Sequence, residues 1–358
     1  MKIFKKVLKI VLILLLILIL IVGGYVAYVM ISYDRIEDNL KLDAVNGSGS
    51  TDLSVGNAYT AVTQNFGFGA YTRDFTFFMD GGKDSRAKSK ESVKECIRKA
   101  YDEISGFNPD FVLMQEIDTN STRSHKVNEK EAFDNLFKEY SKTFAVNYHS
   151  AYLMWPLFKP HGKSNSGMAT YSKYNIVSAE RKSLPISTGF SKFLDLDRCY
   201  SISKIKCENG KYLVVFNVHT SAYGGSDEIR EAQMNKLFSD MKTEYDAGNY
   251  VICGGDFNHD FTGTSTKDLN GGESVDFGWA QPFPDKLIPE GFTKATAYTD
   301  GLNPTCRNCD VPYKEGNFTI IVDGFITSAN VTVNTVKNIV TGFEYSDHNP
   351  VVMQFTLN

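Results

Sequence analysis

The chain has 358 residues, 42% hydrophobic and 13% aromatic, with 38 basic and 42 acidic side chains and a net charge of -4. That balance excludes a basic nucleic-acid coat and the charge excess of a disordered chain. The length suffices for one large core or two modest ones.

The N-terminal segment is a different material. Lys2, Lys5, Lys6 and Lys9 precede Ile10–Tyr33, a stretch without charge. As a helix it would span roughly 36 Å at about 1.5 Å per residue, more than a hydrocarbon core of about 30 Å. A cleaved signal has a shorter apolar region and a small-x-small site, and "VGGYVAYVMISY" offers none. Residues 1–33 are therefore expected to be a basic cytoplasmic N-terminus and one transmembrane anchor, with the rest of the chain outside the cell membrane. Of the 38 basic residues, four lie in the anchor, so the outer part carries 34 against 42 acidic, or -8.

Residues 34–56, with "NGSGSTD", read as a flexible tether. Beyond it, strand and helix patterns alternate with neither a second linker nor an internal repeat, so residues 57–358 are expected to form one α/β domain. "AYTAVTQNF" (58–66) is strand-like. "SKESVKECIRKAYDEISGF" puts Val93, Ile97, Ala100, Tyr101 and Ile104 on one helical face, ended by Gly106. "PDFVLMQEID" is a short buried strand with acids at its exit. "SGMATYSKYNIVSAERKSL" and "CYSISKIKCENGKYLVVFNVHT" read as strands, the second a hairpin turned at Asn209-Gly210. Ile229, Met234, Leu237, Phe238, Met241 and Tyr245 form the stripe of a helix stopped by Gly248. "NYVICGGDFNHDF" is a buried strand breaking at two glycines, and "FTIIVDGFITSANVTV" and "PVVMQFTL" are the last strands.

The polar residues of interest fall at strand ends. Asn65, Glu116 and His219 close strands, Asp256 and Asn258 follow "VICGG", Asp323 interrupts "IIVDGFI", and Asp347 and His348 open the last strand. Any one of these alone is a turn former, a cap or a structural histidine. Together, at one edge of a rigid sheet, they suit catalysis. Asn65, Glu116 and Asp347 are oxygen donors and no His/Cys cluster has zinc spacing, so the set selects Mg²⁺, Mn²⁺ or Ca²⁺. His219 and His348 could donate to phosphoryl oxygens, Asp323 could hold the tautomer of His348, and Asp256 could activate water. That set suits in-line attack on a phosphate ester.

"TQNFGFG", "VLMQEID", "FNVHT", "GGDFN", "VDGFI" and "SDHNPV", in this order, resemble the endonuclease/exonuclease/phosphatase superfamily over roughly residues 57–358. "GGDFN" and "SDHNPV" are the specific parts. The superfamily includes DNase I-like nucleases, neutral sphingomyelinases and inositol polyphosphate 5-phosphatases. The resemblance implies a four-layer α/β sandwich, two face-to-face β-sheets flanked by helices, and a divalent metal. It implies that Asn65, Glu116 and Asp347 serve the metal, that Asp256 and Asn258 serve water and phosphate, and that Asp323 pairs with His348. His219 matches the second histidine of some members, and Arg198 in "DLDRCYSISKI" lies where some place a phosphate-binding arginine.

Two departures stand out. Where relatives carry a glutamate supporting the second histidine, this chain has Asn165 and Ser166, so no acid is named for His219. Residues 263–318 read as a long insertion whose Trp279, Phe283, Phe292 and Tyr298 either pack it down or wall the substrate. Cys96 and Cys253 are expected to be buried, and "CRNC" could hold a Cys306–Cys309 disulfide in an outer domain. Lys159, Lys163, Lys173, Arg181 and Lys182 cluster in sequence, which would make a basic groove. Trp155 and Phe158 beside Lys159 would meet a lipid surface, stack on bases or form an ordinary loop. The function expected is a metal-dependent phosphodiesterase, nuclease or phosphatase acting on nucleic acid, phospholipid or inositol phosphate, with no protein partner. The alternatives are an inactive domain that binds a phosphoryl ligand and a structural surface protein.

Overall fold

A computed structural model describes residues 1–49, 52–193, 196–222, 226–272, 279 and 281–358, with backbone alone at 190–191. Ser50 and Thr51 of the expected tether, and 273–278 and 280 of the expected insertion, lie outside these.

Helix α1 (Lys2–Ile31) is the one described helix long and apolar enough to cross a membrane. It is exposed to Gly24, and its last two turns bond to Tyr152.

Two mixed sheets build the rest. Sheet one runs β14 (Val331–Asn338), β15 (Val351–Leu357), β2 (Ala58–Asn65), β3 (Phe111–Asp118), β5 (Asn165–Ser172) and β4 (Ser141–His149). Sheet two runs β1 (Leu40–Lys41), β6 (Ile176–Ser183), β7 (Cys199–Lys206), β8 (Tyr212–His219), β9 (Tyr250–Asp256), β13 (Asp323–Ser328) and β10 (Phe292–Lys294). A short ribbon pairs β11 (Cys306–Arg307) with β12 (Thr319–Ile320). Ala61, Leu113, Phe111, Val215, Ile252, Phe325 and Met353 from both sheets interdigitate between them. Outside sheet one, α2 (Lys90–Gly106) and α3 (Glu129–Leu136) bury Val93, Ile97, Ala100 and Phe133. Outside sheet two, α4 (Asp227–Asp246) buries Met234, Leu237, Phe238 and Met241; α5 (Ser265–Asp268) is a single turn. This is the four-layer sandwich.

The glycines of "VICGGDFN" have separate causes. A Cβ on Gly254 would meet the Phe325 ring and sit 2.8 Å from Leu113 Cδ1, so the sheets could not close there. Gly255 has φ +153, and a Cβ would strike the carbonyl of Val218.

Several expectations are corrected. The described part of 34–56 is docked rather than free: Leu40 pairs with Arg181, Leu53 is buried and bridged to Cys207, and Arg35 donates to Leu184 O. The edge strand β6 has unpaired backbone groups, which β1 satisfies. The disulfide left open for "CRNC" is absent: Cys306 and Cys309 are buried free thiols, as are Cys96, Cys199, Cys207 and Cys253. The expected basic groove disperses. Arg181 is buried and donates to Val146, Glu37 and Asp197 carbonyls, Lys182 donates to Asn39, and Lys173 to Asn108.

Candidate active site

Strand register delivers the polar residues to one edge. In sheet two β8 and β9 are parallel and pair His219 with Asp256, while antiparallel β13 pairs Asp323 with the same Asp256. Three reactive side chains thus stand in one row. Cys199 pairs with His219, so Arg198, just before β7, flanks that row. In sheet one β2 and β3 are parallel, and Asn65 pairs with Gln115 next to Glu116. Asp347 and His348 lie in the turn before Val351, where β15 begins. Ser346 Oγ pins that turn, donating to Asn65 O at 2.8 Å and accepting from His348 N at 3.0 Å.

Asn65, Glu116, Arg198, His219, Asp256, Asn258, Asp347 and His348 line a single cavity of about 180 Å³. Asp323 lies behind it, fully buried, with Oδ2 2.8 Å from His348 Nδ1. Burial alone would lower the His348 pKa, but Asp323 outweighs it and raises the imidazole well above its usual range. His219 goes the other way: burial, with Arg198 and His348 nearby, drives it well below. Its Nε2 stands 3.5 Å from Asp256 Oδ2, and its Nδ1 is buried without a hydrogen-bond partner among the described residues. The acid missing from the sequence is thus missing here too. Their neighbours thus push the two imidazoles of one cavity in opposite directions.

The carboxylates crowd. Burial pushes Asp256 up to about 6, with Asp323 acting in the same direction, against His348 and a 3.0 Å bond from Asn65 Nδ2. Burial pushes Asp347 up to about 7, with Glu116 adding to the rise. Asn258 N donates to Asp256 Oδ1 at 2.9 Å and Asn258 Nδ2 to Thr220 O at 2.9 Å. Glu116 sits where the register of β3 shifts between Met114 and Ile117, with φ +56. Such a bulge re-aims a side chain, and the left-handed backbone is a strained one for glutamate.

Asn65 departs from its expected role. Its amide nitrogen donates to Asp256 and, at 3.3 Å, to Glu116, while its oxygen accepts from Gly67 N. Two facing carboxylates demand N–H donors, so the oxygen that a cation would take is turned away.

Glu116 and Asp347 fit a hard divalent cation: both are carboxylate oxygen donors facing one cavity, and Glu116 adds to the rise that burial gives Asp347. Gly67, with φ +60, leaves room there, since a Cβ would lie 2.7 Å from Asp347 Oδ1. Asp256, Asp323 and His348 also offer ligand atoms within 4.8 Å of one another. That trio suits a cation less, because Asp323 Oδ2 is already engaged with His348 Nδ1 at 2.8 Å.

Two buried arginines escape sequence inspection. Arg123 makes bonds of 2.9 and 3.1 Å to Asp118, stands 3.8 Å from Glu116 and covers the Phe68 ring at 3.9 Å. Arg307, inside "CRNC", donates its backbone N–H to Asp347 O, and its guanidinium to Thr72 and Phe75 carbonyls. Cys306 and Arg307 of that motif both line the cavity. Arg198 Nε and Nη1 are buried without partners among the described residues, a guanidinium left for an anion. Of the insertion aromatics, Phe283 packs against Phe257 and Phe261 and Phe292 against Tyr245, while Trp279 lines the cavity.

A comparison with curated protein sequences finds no match. Among solved structures, an endonuclease/exonuclease/phosphatase from Beutenbergia cavernae DSM 12333 superposes with a TM-score of 0.58 at 16% identity, over 84% of this chain and 72% of that one. A family protein from Leptotrichia buccalis C-1013-b gives 0.56 at 14%, over 84% and 100%. The human Nocturnin catalytic domain with bound sulfate anion gives 0.52 at 18%, over 88% and 97%. At these identities the likeness is one of fold. The sequence model of the Endonuclease/Exonuclease/phosphatase family matches residues 62–348, a span that begins inside β2 and ends on His348. Because that span holds every polar residue lining the cleft, the chain belongs to the endonuclease/exonuclease/phosphatase family.

Proposed function

We propose that this chain is a divalent-metal-dependent phosphoesterase that hydrolyses a phosphodiester by in-line attack of water. The observation that carries the reading is His348, held by Asp323 at 2.8 Å, in one cavity with Arg198, whose Nε and Nη1 have no partner among the described residues, and with the row His219–Asp256. Two cationic donors facing one space suit a phosphoryl group, whose charge spreads over several oxygens. Glu116 and Asp347 would hold the cation, which when bound would neutralise a phosphoryl oxygen and stabilise the leaving oxygen. Asp256, pushed up to about 6, is poised to take the proton of the attacking water near neutrality. His348 and Arg198 would hold the phosphoryl oxygens, and Asn258 keeps its second amide N–H for the same use. Neutral His219 would donate from Nε2.

The anchor belongs to the same reading. The lysines ahead of α1 favour a cytoplasmic N-terminus and an extracytoplasmic catalytic domain over 57–358, acting on nucleic acid or a phospholipid head group.

The test is hydrolysis of a simple aryl phosphodiester in Mg²⁺, with and without EDTA, by the wild type and by Glu116→Gln. The wild type should turn over only with metal, and Glu116→Gln should lose orders of magnitude, partly recovered by excess Mg²⁺ or Mn²⁺. Undiminished rates in EDTA would overturn the reading. Binding of the diester without turnover would instead make the chain a phosphoryl-ligand binder.

A further inference from the structure

The anchor and the cleft are joined by a loop that neither the fold nor the chemistry uses. Between the Leu153–Gly162 bridge, closed by backbone bonds of 3.1 and 3.0 Å, the chain turns outward. Met154, Trp155, Leu157 and Phe158 are 52, 64, 69 and 103% exposed. Four large apolar side chains together in water mark an interaction surface rather than scattered exposure.

The base of this loop is fastened to α1. Tyr25 Oη donates to Tyr152 O at 3.1 Å and accepts from Met154 N at 3.1 Å, and Tyr28 Oη accepts from Tyr152 N at 3.0 Å. The chain after α1 is tied to the domain as well. Tyr33 meets Phe193 edge-on at 5.1 Å between centroids, and Arg35 donates to Leu184 O at 2.8 Å. A hydrocarbon core of about 30 Å takes roughly 20 helical residues. Counted from the last lysines, it ends near Tyr25 and Tyr28, where tyrosines sit at the head-group level. The loop fastened to those tyrosines is therefore at the same level.

We propose that residues 152–158 are a wedge that inserts into the surface of the bilayer spanned by α1 and holds the mouth of the catalytic cleft at the lipid head groups. The inference rests on α1 being a membrane anchor. The occupant is lipid because the patch is fastened to α1, the described helix long and apolar enough to cross a bilayer. The link to the site is short: Leu153 and His161, at the two feet of the loop, both line the cleft. Arg86 and Ser85 hold the far foot through bonds to Pro160 O and from His161 Nδ1.

The test uses the full chain reconstituted in phosphatidylcholine vesicles, some carrying bromine on the upper acyl carbons. The protein has two tryptophans, Trp155 and Trp279, so the difference between wild type and Trp155→Phe isolates Trp155. We expect that difference signal to be blue-shifted, at least halved by brominated lipid and shielded from iodide. Trp155→Asp/Phe158→Asp should hydrolyse a water-soluble aryl diester at the wild-type rate, which shows that the fold is intact. Protein that floats with vesicles after an alkaline wash, but whose Trp155 is quenched by iodide and not by bromine, would overturn the wedge and leave the anchor standing. Protein that does not float would overturn both, while the soluble-diester assay reports separately on catalysis.

Discussion

The 2.8 Å bond between Asp323 Oδ2 and His348 Nδ1 fixes which imidazole nitrogen is left for the cavity. His348→Ala should lower kcat by about 10²–10³, the cost of one preorganised donor. Asp323→Asn should give much of that loss, because an amide neither holds the charge nor enforces the tautomer. The double variant should be little worse than His348→Ala, as for residues acting as a unit. Multiplicative losses in steady-state kinetics would break the pairing. Glu116 makes a different residue-scale case. Its φ of +56 costs about 1–3 kcal/mol for a non-glycine residue, and its charge opposes Asp347. Glu116→Gly should therefore abolish turnover without lowering the Tm, since glycine releases the strain at a smaller entropic cost. A marked fall in Tm would mean that the 3.8 Å approach to Arg123 is structural instead.

At the scale of elements, β9 shows how packing shapes the site. Gly254 lets Phe325 and Leu113 close over the strand that ends in Asp256. Gly254→Ala should cost about 1–3 kcal/mol by overpacking, seen as a lower Tm by calorimetry, and should lower activity at temperatures where the variant stays folded. An unchanged Tm would mean that the sheets part without cost. β2, β3, β8 and β9 are legible in sequence because each is a short run that ends in polar residues at one edge, and β15 because Asp347 and His348 stand just ahead of its apolar run. β4 is not, since Ser141, Thr143 and Asn147 point inward and break the alternation. Helix α3 is only two turns long and leaves little periodicity to read. The bulge at Glu116 is invisible because nothing in "VLMQEID" marks a register shift that depends on β5. Docking of residues 34–56 depends on an open sheet edge far along the chain, which a polar local composition cannot report.

For the whole molecule, the buried titratable groups set how stability responds to pH and metal. Asp347 is pushed up to about 7, while Glu129 and His348 are raised well above their ordinary values. Each binds its proton more tightly in the folded state than in the unfolded chain. Between pH 6.5 and 8 the unfolded carboxyls have given up their protons and the unfolded imidazole is giving up its own, while the folded protein holds more of them. Stability of the metal-free protein therefore falls as pH rises through that window. His219, His161 and His259, lowered by burial, act only below about 6.5, where the unfolded histidines charge. A divalent cation reverses the sign at Asp347, since it takes the deprotonated carboxylate. Calorimetry in EDTA should thus give a lower Tm at pH 8 than at pH 6.5, and saturating Mg²⁺ should raise the Tm more at pH 8. Glu116→Gln should keep the EDTA trend and lose most of the Mg²⁺ response. A Tm in EDTA that climbs from pH 6.5 to 8 would contradict the crowding of buried acids around this cleft, and a Mg²⁺ shift intact in Glu116→Gln would move the cation elsewhere, to the Asp256–Asp323–His348 trio.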